Sequence, residues 1–147
     1  MKRQISGLGS ADACAIDRIP DGVFLVRVAR IQFKKYYPKP YYVVNLTVLE
    51  PHRFADRVIS SRLYCHAKVL WKLNWFLRDF GYDSELIERD EVDEMRLVGL
   101  HGVVKISHVI CNGSSWIRFD GFAPTRRWEE LSPANLDAPT LDAPQEN

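Results

Sequence analysis

The sequence predicts a mainly β domain in which one helix separates the third and fourth of five strands. Two observations support this prediction. Stretches rich in Val, Ile, Phe and Tyr alternate in polarity over most of residues 20–123, as strands with one buried face do. Only residues 67–80 repeat large apolar side chains every three or four positions, as an amphipathic helix does.

Three strands are expected before the helix. Each is a run of apolar or alternating residues bounded by turn signals such as Gly22, Pro40 and Pro51. Their expected bounds are residues 23–33, 41–49 and 57–65. In the second strand the residues that should face the core share one parity, and they are Tyr42, Val44, Leu46 and Val48.

Two more strands are expected after the helix. The helix should end at Gly81, where a glycine cap commonly terminates a helix. Residues 83–94 contain 7 acidic side chains and are expected to form a solvated face. The last two strands, residues 97–110 and 115–122, flank the hairpin turn signal Asn112-Gly113.

The expected domain covers residues 20–127. Residues 1–19 are poor in large apolar side chains and are expected to form a flexible arm. Residues 128–147 are rich in Pro, Asp and Ala, with 5 acidic side chains and no Lys or Arg, and are expected to form a disordered tail. The tail is either a docking segment for a protein partner or an inert extension.

Five strands with a helix between the third and the fourth is the connectivity of the OB-fold, a partly open Greek-key barrel. The predicted fold class is therefore an OB-fold-like five-stranded barrel. In that fold oligonucleotides lie across strands 2 and 3, between the loops that join strands 1–2 and 4–5. In this chain the first of those loops is basic and aromatic, and the second lies beside Trp116.

The segment from residue 33 to residue 42 interleaves tyrosines and lysines and has no acidic residue. Cations attract phosphates, and aromatic faces stack on any base. Its two prolines stiffen the loop, which lowers the entropy lost when it closes on a ligand. The alternative is a surface hairpin whose tyrosines pack on their own strands.

A second group of candidate residues lies on the polar parity of strands 2 and 3. If these strands pair, Tyr41, Asn45, Arg62 and Tyr64 form one exposed patch next to the basic loop. Simple cross-strand aromatic packing would give the same pattern. The predicted nucleic-acid-binding residues are Lys34, Lys35, Tyr36, Tyr37, Lys39, Tyr41, Arg62, Tyr64 and Trp116.

Charge is unevenly distributed along the chain. The net charge is only +1, but residues 20–82 contain 11 Lys and Arg against 4 Asp and Glu, a local net charge of +7. The basic region of residues 20–82 suits a polyanionic partner. The acidic tail can compete with such a partner for the basic surface.

No pattern typical of an enzyme, a metal site or a cofactor site occurs in the sequence. Glycine-rich phosphate loops, nucleophile elbows and zinc-type Cys or His spacings are absent. Three widely spaced cysteines, Cys14, Cys65 and Cys111, indicate a reducing compartment. No apolar stretch is long enough to span a bilayer, so a cytoplasmic protein without a membrane partner is expected.

In chain order these features resemble phage-type and mobile-element single-stranded DNA-binding proteins with an OB core. The resemblance rests on Pro20-Asp21-Gly22 before strand 1, the basic aromatic loop, the helix end Phe80-Gly81-Tyr82, and the Leu97–Val104 entry to strand 4. It covers about residues 20–123. It implies sequence-tolerant coating of single-stranded DNA during replication, recombination or mobile-element activity, with partner enzymes recruited through an acidic tail. The chain departs from the bacterial pattern because its last residues, 144–147, include no aromatic side chain.

A different class of function uses the same barrel. The alternative is a non-catalytic assembly or docking subunit of a nucleoprotein complex, with the barrel making protein contacts. The sequence leaves open DNA against RNA, because that choice depends on contacts to the 2′-hydroxyl. It also leaves open whether the chain forms a homo-oligomer.

Overall fold

The computed structural model describes residues 2–6, 19–35 and 39–132. They form one five-stranded antiparallel sheet in the order β3-β2-β1-β4-β5, together with a few short helices. The strands are β1 Gly22–Lys34, β2 Tyr41–Glu50, β3 Val58–Tyr64, β4 His101–Cys111 and β5 Ser114–Ala123. The helices are α1 Leu70–Asp79, α2 Ser84–Glu88, α3 Glu94–Leu97 and α4 Trp128–Leu131, with 3-10 turns at His52–Phe54, Ala67–Val69 and Thr125–Arg127.

The mainly β class with five antiparallel strands is confirmed. The expected core parity of β2 is confirmed as well, because Tyr42, Val44, Leu46 and Val48 are all buried. Tyr36, Tyr37, residues 7–18 of the expected arm and the tail from residue 133 onward lie outside the described residues.

β1 is long and bent, and it organises the sheet. Its residues 25–34 pair with β2, and its residues 22–27 pair with β4 on the other side. Its ladder with β2 has register shifts after Leu25 and Val28. Such bulges bend a strand and increase its twist. The bend brings the two edge strands together, since the Ser61 hydroxyl of β3 donates to the carbonyl of Ile117 of β5 at 2.5 Å.

Helix α1 closes one side of the curved sheet with aromatic side chains. The Trp75 ring lies edge-on to Phe122 with centroids 5.7 Å apart, and its indole N–H donates to the Asp79 carboxylate at 2.9 Å. Gly102 of β4 is required for this packing, because a Cβ there would lie 2.3 Å from the ring of Phe80. Trp75 is therefore part of the packing between α1 and the sheet.

Strand β4 begins later than the sequence pattern suggests. Residues 94–97 form the helical turn α3, which buries Leu97 in the core. Gly99 then takes a positive φ of 94°, which turns the chain before β4 starts at His101. The apolar run from Leu97 mimics a strand because its first residue contributes to the core from a helix.

The folded part of the chain extends past residue 127, where the sequence places the start of the tail. Trp128 and Leu131 of α4 are buried against Val103 of β4 and Ala123 of β5. This second small cluster lies apart from the main core, and Val23 and Leu25 of β1 pack against it. Residues 128–131 are thus part of the domain.

Among the described residues, no helix is both long enough and apolar enough to cross a membrane.

Candidate nucleic-acid interface

Strands β1, β2 and β3 present a polar outer face made of cross-strand rows. Residues paired directly across neighbouring strands point to the same side of a sheet. Three such rows are Lys34–Tyr41–Tyr64, Gln32–Val43–Arg62 and Arg30–Asn45–Ser60. None of these nine residues is acidic.

Arg62 lies on the edge strand β3, at the end of the middle row, between aromatic rings from two different strands. Its guanidinium carbon is 4.5 Å from the centroid of the Tyr41 ring and 5.5 Å from that of Trp116. Both distances fall within the range of cation–π attraction, which extends to about 6 Å. Because Trp116 belongs to β5, Arg62 links the outer face of β3 to the β4–β5 hairpin.

Tyr41 is not the open stacking surface that strand alternation suggests. It lies on the expected outer face, but its side chain is only 8% exposed. The Tyr64 ring packs on it at 5.4 Å, and the Arg62 guanidinium lies over it. The outer face is itself layered here, so Tyr41 supports the residues that a ligand would meet first.

A groove of about 820 Å³ opens between β3 and the β4–β5 hairpin and extends to α1. Its walls combine aromatic, aliphatic and basic side chains, and none of the 18 described residues that line it is acidic. The basic or imidazole side chains in the lining are Lys39, Arg62, His66, Lys72 and Arg118.

The groove brings together four of the nine predicted binding residues, namely Lys39, Arg62, Tyr64 and Trp116. Tyr41 lies beneath them. Lys34 belongs to the same row as Tyr41 and Tyr64 but does not line the groove, and Lys35 is exposed beyond the end of β1. The remaining two, Tyr36 and Tyr37, lie outside the described residues.

Three cationic or imidazole side chains of the groove were not predicted from sequence. Arg118 could have been found, because it shares strand parity with Trp116. His66 follows Tyr64 just past the end of β3, and the two rings lie 6.3 Å apart. Lys72 could not have been found, because the direction of its side chain depends on how α1 docks against the sheet.

The hairpin that forms one wall of the groove carries no charged side chain from residue 109 to residue 117. Trp116 is 50% exposed and pairs directly with Val109, so both side chains lie on the same side of the hairpin. Ile110, which pairs with Ser115, is 79% exposed on the opposite side. The hairpin therefore presents an aromatic side chain to the groove and an aliphatic one away from it.

Burial affects the charge balance within the groove. It lowers the pKa of the Lys72 ammonium, and the positive charge of Arg118 acts in the same direction, while Asp120 opposes it. Asp120 is itself paired with Arg118, whose Nε lies 2.8 Å from a carboxylate oxygen. Two basic side chains, Lys72 and Arg118, thus face the single carboxylate of Asp120 in this region.

A second depression of about 520 Å³ has a different character. It lies by the acidic run and is lined by Leu86, Glu91, Val92, Asp93 and Arg96. Two carboxylates and one guanidinium make it unsuited to a polyanion. Within the described part of the chain, no three His, Cys, Asp or Glu residues lie close enough together to hold a metal ion.

No family model matches the chain, and it has no significant match among curated proteins.

Proposed function

We propose that the protein binds single-stranded nucleic acid, DNA in the first instance, with little sequence preference. The observation that carries this proposal is the groove itself. One continuous surface combines exposed aromatic side chains with cations and has no acidic side chain among its described lining residues. Stacking on aromatic rings together with phosphate contacts is the general mode of sequence-tolerant single-strand binding.

The preference for single strands follows from the availability of base faces. Trp116 is half exposed, and a ring of this kind can stack only on a base that is not already stacked in a duplex. Reading duplex DNA commonly requires an element that enters the major groove. Helix α1, the longest described helix, instead uses Leu73, Phe76 and Leu77 to pack into the core.

We also propose that the sheet is an OB-fold barrel. The strand order β3-β2-β1-β4-β5 supports this, as does the hydrogen bond that joins the edge strands β3 and β5. Another supporting feature is the position of the groove, which lies beside the strands and loops that bind oligonucleotides in that fold. On this basis the protein would coat exposed strands during replication, recombination or the movement of a genetic element.

The test is a fluorescence anisotropy titration with a labelled mixed-sequence strand and with the duplex formed from it. We expect tighter binding to the single strand than to the duplex. Affinity should fall as salt rises, and each phosphate contact should contribute about 0.7 to the slope of log affinity against log salt concentration. Equal or tighter duplex binding would overturn the proposal. Absence of binding to either would favour the alternative role as a docking subunit, and a parallel titration with RNA separates DNA from RNA.

A further inference from the structure

Lys72, the lysine of α1, differs from the nearby Lys68 in its burial and in its position next to the groove. Lys72 lies in the first turn of α1 and is partly buried, next to Leu73, whose side chain faces the core. Lys68, one helical turn earlier in sequence, is exposed and does not line the groove. The docking of α1 thus directs one of these two lysines into the groove and the other into solvent.

The charge of Lys72 is only partly compensated. Burial disfavours its charged form, the carboxylate of Asp120 offsets part of this effect, and Arg118 adds a second positive charge on the neighbouring strand β5. Among the residues that the structure describes, no carboxylate forms an ion pair with Lys72, and the nearby Asp120 is bonded to Arg118. A partly buried cation that forms no direct ion pair is stabilised further when an anion binds next to it.

The positions of Lys72 and Arg118 relative to Trp116 indicate which kind of anion would bind next to them. Trp116 and Arg118 are two residues apart on the same side of β5, which places them roughly 7 Å apart along the strand. A base stacked on Trp116 would therefore carry its phosphate groups within a side chain's reach of Arg118. Lys72 lines the same groove from α1.

From these contacts we infer that Lys72 and Arg118 together bind a phosphodiester group of the strand that stacks on Trp116. The nucleic acid then leaves the outer face of β2 and β3 and continues across β5 onto α1. This inference rests on the proposed single-strand binding. It adds a second phosphate site, separate from the lysines at the end of β1.

The experiment compares Lys72→Gln with the matched control Lys68→Gln. Both variants are titrated with single strands of about 4 and about 16 nucleotides, the range of site sizes for one OB-fold. For the longer strand, Lys72→Gln should weaken binding about tenfold at low salt, the effect of one charge-assisted hydrogen bond, and should reduce the salt slope by about 0.7. The shorter strand should show a smaller loss. Lys68→Gln should match the wild type on both strands.

A pH profile adds a measurement that a purely structural role would not change. Because burial lowers the pKa of the Lys72 ammonium, its charge is lost at a lower pH than that of an exposed lysine, so wild-type affinity for the long strand should begin to decline before exposed lysines titrate as pH rises. Lys72→Arg should bind with a flatter profile, because arginine keeps its charge. The other charged or titratable groups that line the groove or act on Lys72 are all retained in this variant, and they are Lys39, Arg62, Tyr64, His66, Cys111, Arg118 and Asp120.

The outcomes separate this inference from the proposed function. If the wild type shows no preference for single strands, the proposed function fails. If it does show that preference but Lys72→Gln behaves like Lys68→Gln, only the second phosphate site is overturned. Should Lys72→Gln fold poorly, as judged by its thermal melt, Arg118→Gln is measured instead, because that side chain is 58% exposed. An unchanged salt slope in a folded Arg118→Gln would equally overturn the inference.

Discussion

Replacing Trp116 by alanine tests whether the hairpin stacks on bases. Trp116 is 50% exposed and contacts Arg62 at 5.5 Å. The lost cation–π contact accounts for about 0.5–1 kcal/mol of the free energy of unfolding at an exposed site. Because half of the ring is already in solvent, the total loss should be about 1–2 kcal/mol, below the about 3–5 kcal/mol expected for a buried tryptophan. The variant should therefore stay folded.

The effect on binding should be larger than the effect on stability. A stacked base contributes about 1–3 kcal/mol, so Trp116→Ala should weaken single-strand binding by about 5- to 150-fold. The substitution removes no charge, so the dependence of affinity on salt should keep its slope. Trp116→Phe retains an aromatic face and should fall between the wild type and the alanine variant.

The matched control is Ile110→Ala, on the opposite side of the same hairpin. Anisotropy titrations of the three variants with one labelled strand at several salt concentrations give both the affinity and the slope. We expect Ile110→Ala to bind like the wild type. The reasoning is refuted if Trp116→Ala binds as tightly as Ile110→Ala, or if its slope falls by the amount expected for a lost phosphate contact.

Three further predictions concern the basic loop, the C-terminal region and an exposed contact between Asp21 and His108 of β4. Changing the three loop lysines together to alanine should reduce the salt slope by about 2, and an unchanged slope would place the phosphate contacts elsewhere. The lysines are Lys34, Lys35 and Lys39. Deleting residues 133–147 should leave the melting temperature nearly unchanged and raise single-strand affinity at low salt, with the gain fading as salt screens the acidic tail over a Debye length of ~10 Å at 0.1 M. Deleting residues 128–147 should instead lower the free energy of unfolding by at least about 3 kcal/mol, because it removes two buried side chains of α4; equal melting temperatures for the two truncations would contradict this. Finally, hydrogen bonds from the His108 side chain and backbone hold the pKa of Asp21 below its ordinary value. Asp21→Asn should therefore lower the melting temperature at neutral pH, and the difference from the wild type should shrink below about pH 4, as the carboxyl becomes protonated. A difference that is constant across this range would show that the charge plays no part.

The sequence predicted those parts of the fold that depend on local pattern. Alternation identified the buried face of β2, and the Asn112-Gly113 signal located the β4–β5 hairpin. The start of β4 was misplaced because Leu97 enters the core from a helical turn, and an apolar run does not distinguish these two geometries. The contribution of Trp128 and Leu131 was missed because a single short turn has no periodicity to detect.

The residue types of the candidate site could be predicted from the sequence, but the relative positions of their side chains could not. Basic and aromatic residues on β3 and β5 were identified, and the structure places Arg62, Tyr64 and Trp116 along one groove. The burial of Tyr41 beneath Arg62 depends on side chains from two strands, which alternation does not describe. The same limit explains Lys72, whose place in the groove is fixed by the packing of α1 against β5.

The most direct test of the central claim is a nuclear magnetic resonance titration of the full-length protein with a short mixed-sequence single strand. We expect the largest shifts at the Trp116 indole N–H and at the amides of β3 around Arg62. Signals from the acidic residues 83–94 should stay in place. Shifts confined to residues 83–94, or no shifts in the presence of saturating strand, would contradict the claim that this groove binds nucleic acid.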